Sequence, residues 1–308
     1  MKISTSFLFD RATERMSTLQ NKLATTQSQM SSAKQILSPS DAPDQAAAIQ
    51  RLQGEVQRQE SHKRTLEVAL RRYSAEETSL RSSDTILIRL KELSLQAAND
   101  TLGSEERKAV AVEMKELRDQ LLSLGNSRDD SGNYLFSGTR VTTPAFAEDA
   151  DGKVVYQGDQ TQTKIPAGVE RTVLFTRSGT DVFSRVVRTA ADGSTQSVGF
   201  FDSLDQMIKA VEDSDTNAIQ DSLGELDQMH FNMSLSLAQA GSDQQVVQSQ
   251  MDVLDETALR LKSTLSEIED LDYAEAVTRM NKEMMALEAA MSSFSKIANL
   301  SLFDYVKG

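Results

Sequence analysis

Apolar residues near the start of the chain recur at alternating spacings of four and three. The series is Ala12, Met16, Leu19, Leu23, Thr26, Met30, Ala33 and Leu37. Heptad spacing places these side chains on one side of a helix, where they can form a seam with another helix. Pro39 removes a helix donor and restricts Ser38, so the helix is predicted to end there.

Two more helices are predicted before the middle of the chain. A helical pattern continues from about residue 45 to residue 98, and residues 99 to 103 indicate a turn. Ser104 is the expected N-cap of a third helix and Gly125 its expected C-terminal cap. The seam of this helix consists of Val110, Met114, Leu117, Leu121 and Leu124.

The longest pattern in the chain keeps one heptad register for fifty-odd residues. Its positions are Ile219, Leu223, Leu226, His230, Met233, Leu237, Ala240, Gln244, Val247, Met251, Leu254, Ala258, Leu261, Leu265 and Ile268. Gly224 and Gly241 lie inside it without shifting the phase. We predict one continuous helix of about 75 Å. Before it, Ser203 and Gln206 have the spacing of a capping box.

The register fails between residues 269 and 275, and a new one starts at Val277. More apolar residues lie in this last segment than a two-helix hairpin can cover, and exposed apolar surface of this size is typical of an interaction site. The alternative is that this surface packs on the body of the same chain. The predicted assembly interface consists of Ala12, Met16, Leu19, Leu23, Met30, Leu37, Val277, Met280, Met284, Leu287, Met291, Phe294, Ile297, Leu300, Leu302 and Phe303.

Glycine is rare in the first hundred residues and frequent between residues 132 and 199. Short β-branched runs follow there, and Asp151-Gly152 and Asp192-Gly193 are turn pairs. Strands are expected at residues 154–156, 172–175 and 186–187. The predicted fold is mainly α, with long antiparallel helices in coiled-coil-like packing formed by both chain ends, and a small inserted β domain. The predicted domains are residues 1–44 with 272–308, 45–138 with 200–271, and 139–199.

Charge and composition argue against several kinds of partner and location. The formal net charge is −13, which argues against nucleic acid or an anionic membrane as partner. The basic cluster His62, Lys63, Arg64, Arg71 and Arg72 is interpreted as a solvated helix face. The chain has no cysteine, no apolar core of signal-peptide length and no stretch long enough to span a membrane. We expect a cytoplasmic protein or one exported without a cleaved signal.

No group of residues indicates catalysis. His62 and His230 have no evident third ligand or acid–base partner, and no glycine-rich phosphate loop follows a strand. The acidic turn at residues 148–152 would place Ala147 and Gly158 at calcium-ligand positions, so a hairpin turn is favoured over a metal loop. We therefore expect a structural subunit rather than an enzyme, with no catalytic residues, cofactor or metal.

Five segments carry a family resemblance. They are MKIST at residues 1–5, SPSDAP at 38–43, GNYLFSGT at 132–139, SEIEDLDYAEA at 266–276 and IANLSLFDY at 297–305. On these segments the chain resembles bacterial flagellin-type proteins, and within that family the branch that joins the flagellar hook to the filament. The resemblance implies a junction (adaptor) subunit. Filament flagellin is one alternative, and a secreted coiled-coil effector or signalling scaffold is another.

The resemblance also implies a route of export from the cell and a set of protein partners. Proteins of this family leave the cell through the flagellar type III apparatus, and their ends are disordered in the monomer and fold on assembly. The implied partners are neighbouring copies of the chain, another hook-associated protein on the hook side and flagellin on the filament side. An export chaperone is expected to bind the C-terminal segment from Val277 onward.

Overall fold

The computed structural model describes residues 2–168, 171–189 and 194–306. Of residues 2–6, 8, 189 and 297–306 it describes the backbone only. Within these ranges the chain is mainly α, as predicted. Its helices are α1 (Lys2–Ser32), α2 (Pro43–Ala97), α3 (Ser104–Gly125), α4 (Gly179–Val182), α5 (Phe200–Glu212), α6 (Thr216–Glu269) and α7 (Tyr273–Val306). No helix in the described ranges is both long and apolar enough to cross a membrane.

The chain divides into two compact units. The first comprises Met1–Arg58 and Thr257–Gly308, and the second comprises Gln59–Glu256. In the first unit α1 packs against α7. This division does not test the three domain boundaries predicted from the sequence, which stay predictions.

The first helix ends earlier than predicted. It stops at Ser32 rather than near Pro39, because Ala33 has a left-handed backbone with φ of 59°. The following residues bond to another part of the chain instead of continuing the helix: Gln35 N donates to Glu269 O at 2.8 Å. A tertiary contact therefore replaces the last predicted helical turn.

The prediction of one long helix at residues 219–268 is confirmed by α6, which has 54 residues without a break. All the predicted seam positions of α6 are buried or partly buried. In the second unit its buried residues pack with α2, α3 and α5 in the main core. That core includes Leu80, Leu87, Leu90, Leu93, Met114, Leu121, Leu204, Met207, Val211, Ile219, Leu226 and Met233.

In the part of the middle region that the structure describes, the strands form three short hairpins. Their strands are β1 (Phe146–Glu148), β2 (Val154–Tyr156), β3 (Lys164–Pro166), β4 (Thr172–Leu174), β5 (Val186–Thr189) and β6 (Thr195–Val198). Each antiparallel pair stands alone, with Ala147 opposite Val155, Ile165 opposite Val173, and Val187 opposite Ser197. Strands this short depend on burial against helices for their stability. At least one residue of every hairpin is accordingly buried in the cores of the second unit.

The predicted strands at residues 154–156 and 186–187 are confirmed, and the strand predicted at 172–175 ends one residue earlier, at Leu174. The acidic segment is a hairpin turn, as favoured from the sequence, because Gly152 N donates to Asp149 O at 3.0 Å and Gly152 has a φ of 77°. The predicted turn at Asp192-Gly193 lies outside the described residues.

The predicted caps were wrong by small shifts. The N-cap of α3 is Gly103, without a side-chain hydrogen bond, and its C-cap is Asn126. Gly125 is the last helical residue, where an added Cβ would lie 3.0 Å from the Phe146 ring. The predicted capping box at Ser203 does not form, since α5 already begins at Phe200. Burial of Phe200 and Phe201 decides that earlier start.

The solvated-face interpretation of the basic cluster was wrong for Arg72. Its guanidinium is buried and donates to Asp129 Oδ2 at 2.9 Å and to the carbonyl oxygens of Tyr134 and Leu135 at 3.1 and 2.9 Å. The guanidinium carbon also lies 5.2 Å from the centre of the Phe175 ring. Arg72 therefore anchors the loop after α3 to α2.

Candidate assembly interface

The two chain breaks of the first unit are joined by backbone hydrogen bonds. Gln35 N donates to Glu269 O, Leu271 N donates to Ala33 O at 3.0 Å, and Lys34 forms an antiparallel bridge with Asp270. The Lys34 ammonium also forms an ion pair with Glu269. The end of α1 thus lies beside the start of α7, and the two helices pair in opposite directions.

The α1 side of this pair follows the predicted seam. Five predicted interface residues of α1 are partly buried, namely Ala12, Met16, Leu19, Leu23 and Met30. Near the other end of the pair, the rings of Phe9 and Phe294 have centroids 4.7 Å apart. Leu37 is exposed because it follows the end of the helix.

The α7 side divides the predicted residues between two stripes. Met280, Leu287 and Phe294 are partly buried. Val277, Met284 and Met291 stay 40%, 41% and 47% exposed. The positions that complete the seam with α1 are instead Ala276, Glu283 and Ala290. Since one neighbouring helix covers only one stripe, α7 keeps a second apolar stripe at seven-residue spacing, which we call the outer stripe: Val277, Met284 and Met291.

Polar contacts fix the register of the pair. Thr26 is buried, and its hydroxyl donates to Glu283 Oε2 at 2.9 Å. Tyr273 Oη donates to Met30 O at 2.8 Å, and Arg279 Nη2 donates to Gln29 Oε1 at 3.2 Å. Sequence reasoning did not identify Glu283 or Arg279. The only signal for them was a threonine inside an otherwise apolar seam.

Four predicted interface residues lie near the C-terminal end of α7. The backbone of Ile297, Leu300, Leu302 and Phe303 belongs to α7, and their side chains lie outside the described part of the structure.

The segment at residues 134–138 is a buried structural element of the second unit. Leu135, Phe136 and Ser137 are buried, and Gly138 has a φ of 66°. The Tyr156 hydroxyl lies 3.1 Å from Phe136 O, and burial raises the pKa of this phenol. The segment therefore holds the hairpin region against α2 and contributes no reactive group.

Both helical arms match known families. Residues 3–141 match the family described as the bacterial flagellin N-terminal helical region, and residues 223–306 match the bacterial flagellin C-terminal helical region. Together the two matches cover more than half of the chain. This chain belongs to the bacterial flagellin family.

Two relatives that match the chain from end to end are flagellar hook-associated proteins 3. Flagellar hook-associated protein 3 of Escherichia coli is 27% identical over 324 residues, covering 100% of both chains. Flagellar hook-associated protein 3 of Salmonella typhimurium is 25% identical over 320 residues, covering 99% of both chains.

Solved structures share the fold of this flagellin-family chain. FlgL of Xanthomonas campestris has a TM-score of 0.62 at 21% identity, covering 71% of this chain and 99% of its own. A putative flagellar hook-associated protein from Vibrio parahaemolyticus has a TM-score of 0.66 at 20% identity, covering 75% of this chain and 100% of its own.

Proposed function

We propose that this protein is the structural junction subunit between the flagellar hook and the filament, of the hook-associated protein 3 type. The observation that carries the proposal is similarity from end to end with two hook-associated proteins 3, with no large part of either chain left unmatched. Membership of the flagellin family makes it a structural protein and not an enzyme. Its place of action is the bacterial flagellum, outside the cell.

The terminal pair supplies the physical means of joining. In α1/α7 the inner seam is closed within the chain, and the outer stripe of α7 remains available for a neighbour. Exposed methionines suit contacts with neighbours that are not identical, because the side chain is flexible and polarisable. A junction subunit needs this property, since it meets a different protein on each side.

The partners follow from this position. We infer contacts with neighbouring copies of the chain, with a second hook-associated protein on the hook side and with flagellin on the filament side. We also infer that an export chaperone covers the C-terminal segment from Val277 onward before assembly, because that segment carries the outer stripe. Export through the flagellar type III apparatus and folding of the chain ends on assembly belong to the same proposal.

A deletion strain tests the proposed function. Cells lacking the gene should build hooks, lack filaments and release flagellin monomers into the medium, and the plasmid-borne gene should restore filaments. Normal filaments in the deletion strain would contradict the junction function. Polymerisation of the purified protein alone into long filaments would favour a filament flagellin instead.

Limited proteolysis tests the folding of the ends. The free monomer should lose residues 1–44 and the segment after residue 272 to a protease while the second unit stays intact. Hook-bound protein should keep both ends. Equal protection of the ends in the free and bound states would contradict folding on assembly.

A further inference from the structure

The helix α6 carries apolar side chains on two opposite faces. One face holds Leu226, Met233 and Ala240, which are buried in the core of the second unit. The other face holds Phe231 and Leu235, which are 67% and 61% exposed. Residues two positions apart lie on roughly opposite sides of a helix. The exposed pair is therefore not an edge of the core.

The exposed residues form a straight line along α6. Its positions, at alternating spacings of seven and four, are Gly224, Phe231, Leu235, Ser242, Val246 and Val253. At about 100° per residue, these positions stay within about 60° of one another around the helix axis. None of these positions carries a charge, in a chain with 26% charged residues and a net charge of −13. An added Cβ at Gly224 would meet no atom within 4 Å.

The neighbouring helix adds two apolar side chains at the same level. Lys91 of α2 forms an ion pair with Asp227, and His230 Nε2 lies 3.3 Å from Asp84 Oδ1. Ile88 lies between Asp84 and Lys91 along α2, so it lies level with the turn of α6 from Asp227 to His230, which Phe231 follows directly.

Ile88 is 46% exposed, and Leu95, two turns further along the same side of α2, is 52% exposed. We call these two residues, together with the α6 line, the outer patch of the second unit.

The size of the outer patch indicates what kind of partner it fits. Thirty residues of α6 span about 45 Å, and a helix is about 10 Å wide, which gives roughly 450 Å² before the α2 residues are added. A stable isolated complex buries about 800 Å² on each partner. The patch is thus too small to hold a free partner, and large enough to matter when other contacts already hold that partner beside it.

We infer that the outer patch is a side-to-side contact with a second copy of this chain. The inference rests on the proposed function, in which the terminal helices hold many copies next to one another. Two copies with a charge of −13 each repel, so their contact is favoured where surface charge is absent or already paired. The outer patch meets this condition, since none of its α6 positions is charged and Lys91 pairs the neighbouring Asp227.

A cysteine footprint tests the contact, because the chain has no native cysteine. Phe231→Cys is compared with Glu116→Cys, an exposed position on α3. In the free protein both introduced thiols should be alkylated at similar rates. On isolated hooks the alkylation rate of the Phe231→Cys variant should fall at least tenfold. The rate of the Glu116→Cys variant should stay within about twofold of its value in the free protein.

Two results would overturn the inference. If the protein is present on hooks and the thiol introduced at position 231 reacts as fast as in the free protein, the outer patch is not a contact, and the proposed function stands. If the protein is absent from hooks, the proposed function and this inference both fail.

A photo-crosslinking amino acid at position 231 identifies the occupant. A product of twice the chain mass that contains only peptides of this protein supports a second copy. Crosslinking to any other protein overturns the assignment. Phe231→Glu with Leu235→Glu should keep the melting temperature of the monomer and reduce the number of filaments. A matched pair of glutamates at Gln120 and Ser123, exposed positions of α3, should leave that number unchanged.

Discussion

The hydroxyl of Thr26 donates a hydrogen bond of 2.9 Å to the carboxylate of Glu283, a residue 257 positions away in the sequence. The bond lies inside the seam of α1 and α7, where Thr26 is buried. A buried donor in an apolar seam selects one register, because a shift of the helices would leave it without a partner.

Thr26→Val should therefore weaken the terminal pair by about 1–2 kcal/mol, since it keeps the shape and leaves a partly buried carboxylate without its donor. The measurement is the temperature at which subunits dissociate from isolated hooks. Thr25→Val is the matched control, because the exposed Thr25 hydroxyl bonds to Asn21 O of its own helix. Equal dissociation temperatures for the two variants would contradict a register role for Thr26.

Glutamate at Met284 and Met291 should abolish filament formation while the purified chain keeps its unfolding midpoint. Both side chains are exposed in the first unit, so the charge is hydrated until a neighbour covers it. Burying an unpaired charge then costs several kcal/mol. Motility and the urea midpoint are measured together, with Lys282→Glu as the control on the exposed polar side of α7. A motile Met284→Glu, Met291→Glu strain would exclude the outer stripe from assembly.

Glu76→Ala should destabilise the second unit by about 3 kcal/mol, because removing one partner leaves a buried charge incompletely compensated. Glu76 is buried and forms an ion pair with Arg177, which also bonds to Asp243 at 2.8 Å. Burial raises the pKa of Glu76, while the Arg177 charge opposes that rise. Urea unfolding measures the effect. As a control, Glu105→Ala, in an exposed pair with Lys108, should shift the urea midpoint far less, because solvent screens an exposed ion pair.

Gly138→Ala should cost more than Gly152→Ala. Both glycines have a left-handed backbone, with φ of 66° and 77°, which costs an alanine roughly 1 kcal/mol. At Gly138 an added Cβ would also lie 2.3 Å from Asp159 O, whereas Gly152 has open space. Urea unfolding of the two variants separates backbone strain from steric overlap. Equal losses would mean that the loop at Asp159 moves without cost.

The turn at residues 37–41 should loosen in acid. Asp41 Oδ2 accepts hydrogen bonds from Ser38 N at 2.8 Å and Leu37 N at 3.2 Å, and these bonds lower the pKa of the carboxyl below its ordinary value of 3.8. A group with a lowered pKa in the folded state stabilises that state fully above its ordinary pKa. The stabilisation is lost as the pH falls through the lowered value.

In hook-bound protein, where the chain ends are folded, the amide shift of Ser38 followed by solid-state NMR should titrate with a midpoint below 3.8 as the pH is lowered from neutral into acid. Asp41→Asn should remove this titration and leave the rest of the amide spectrum unchanged. A midpoint above 3.8 would contradict the hydrogen-bonded turn.

The sequence by itself determined the long helices and the breaks between them. The heptad positions of α6, from Ile219 to Ile268, are all buried or partly buried, because a helix repeats its faces at a fixed interval whatever it packs against. The turn at Gly152 followed from local chemistry in the same way. The family was also readable from short segments at the chain ends and at residues 132–139.

Only the tertiary structure decided which apolar stripe of α7 is covered. Val277, Met280, Met284, Leu287 and Met291 belong to two adjoining stripes, and their spacing does not say which one meets α1. The Thr26–Glu283 bond and the small side chains of Ala276 and Ala290 decide it.

Arg72 shows the same limit. Its burial depends on carbonyl oxygens about sixty residues later in the chain, which no local pattern specifies. Periodicity fixes the direction of a side chain around its own helix, and the partner that lies there is set by long-range packing.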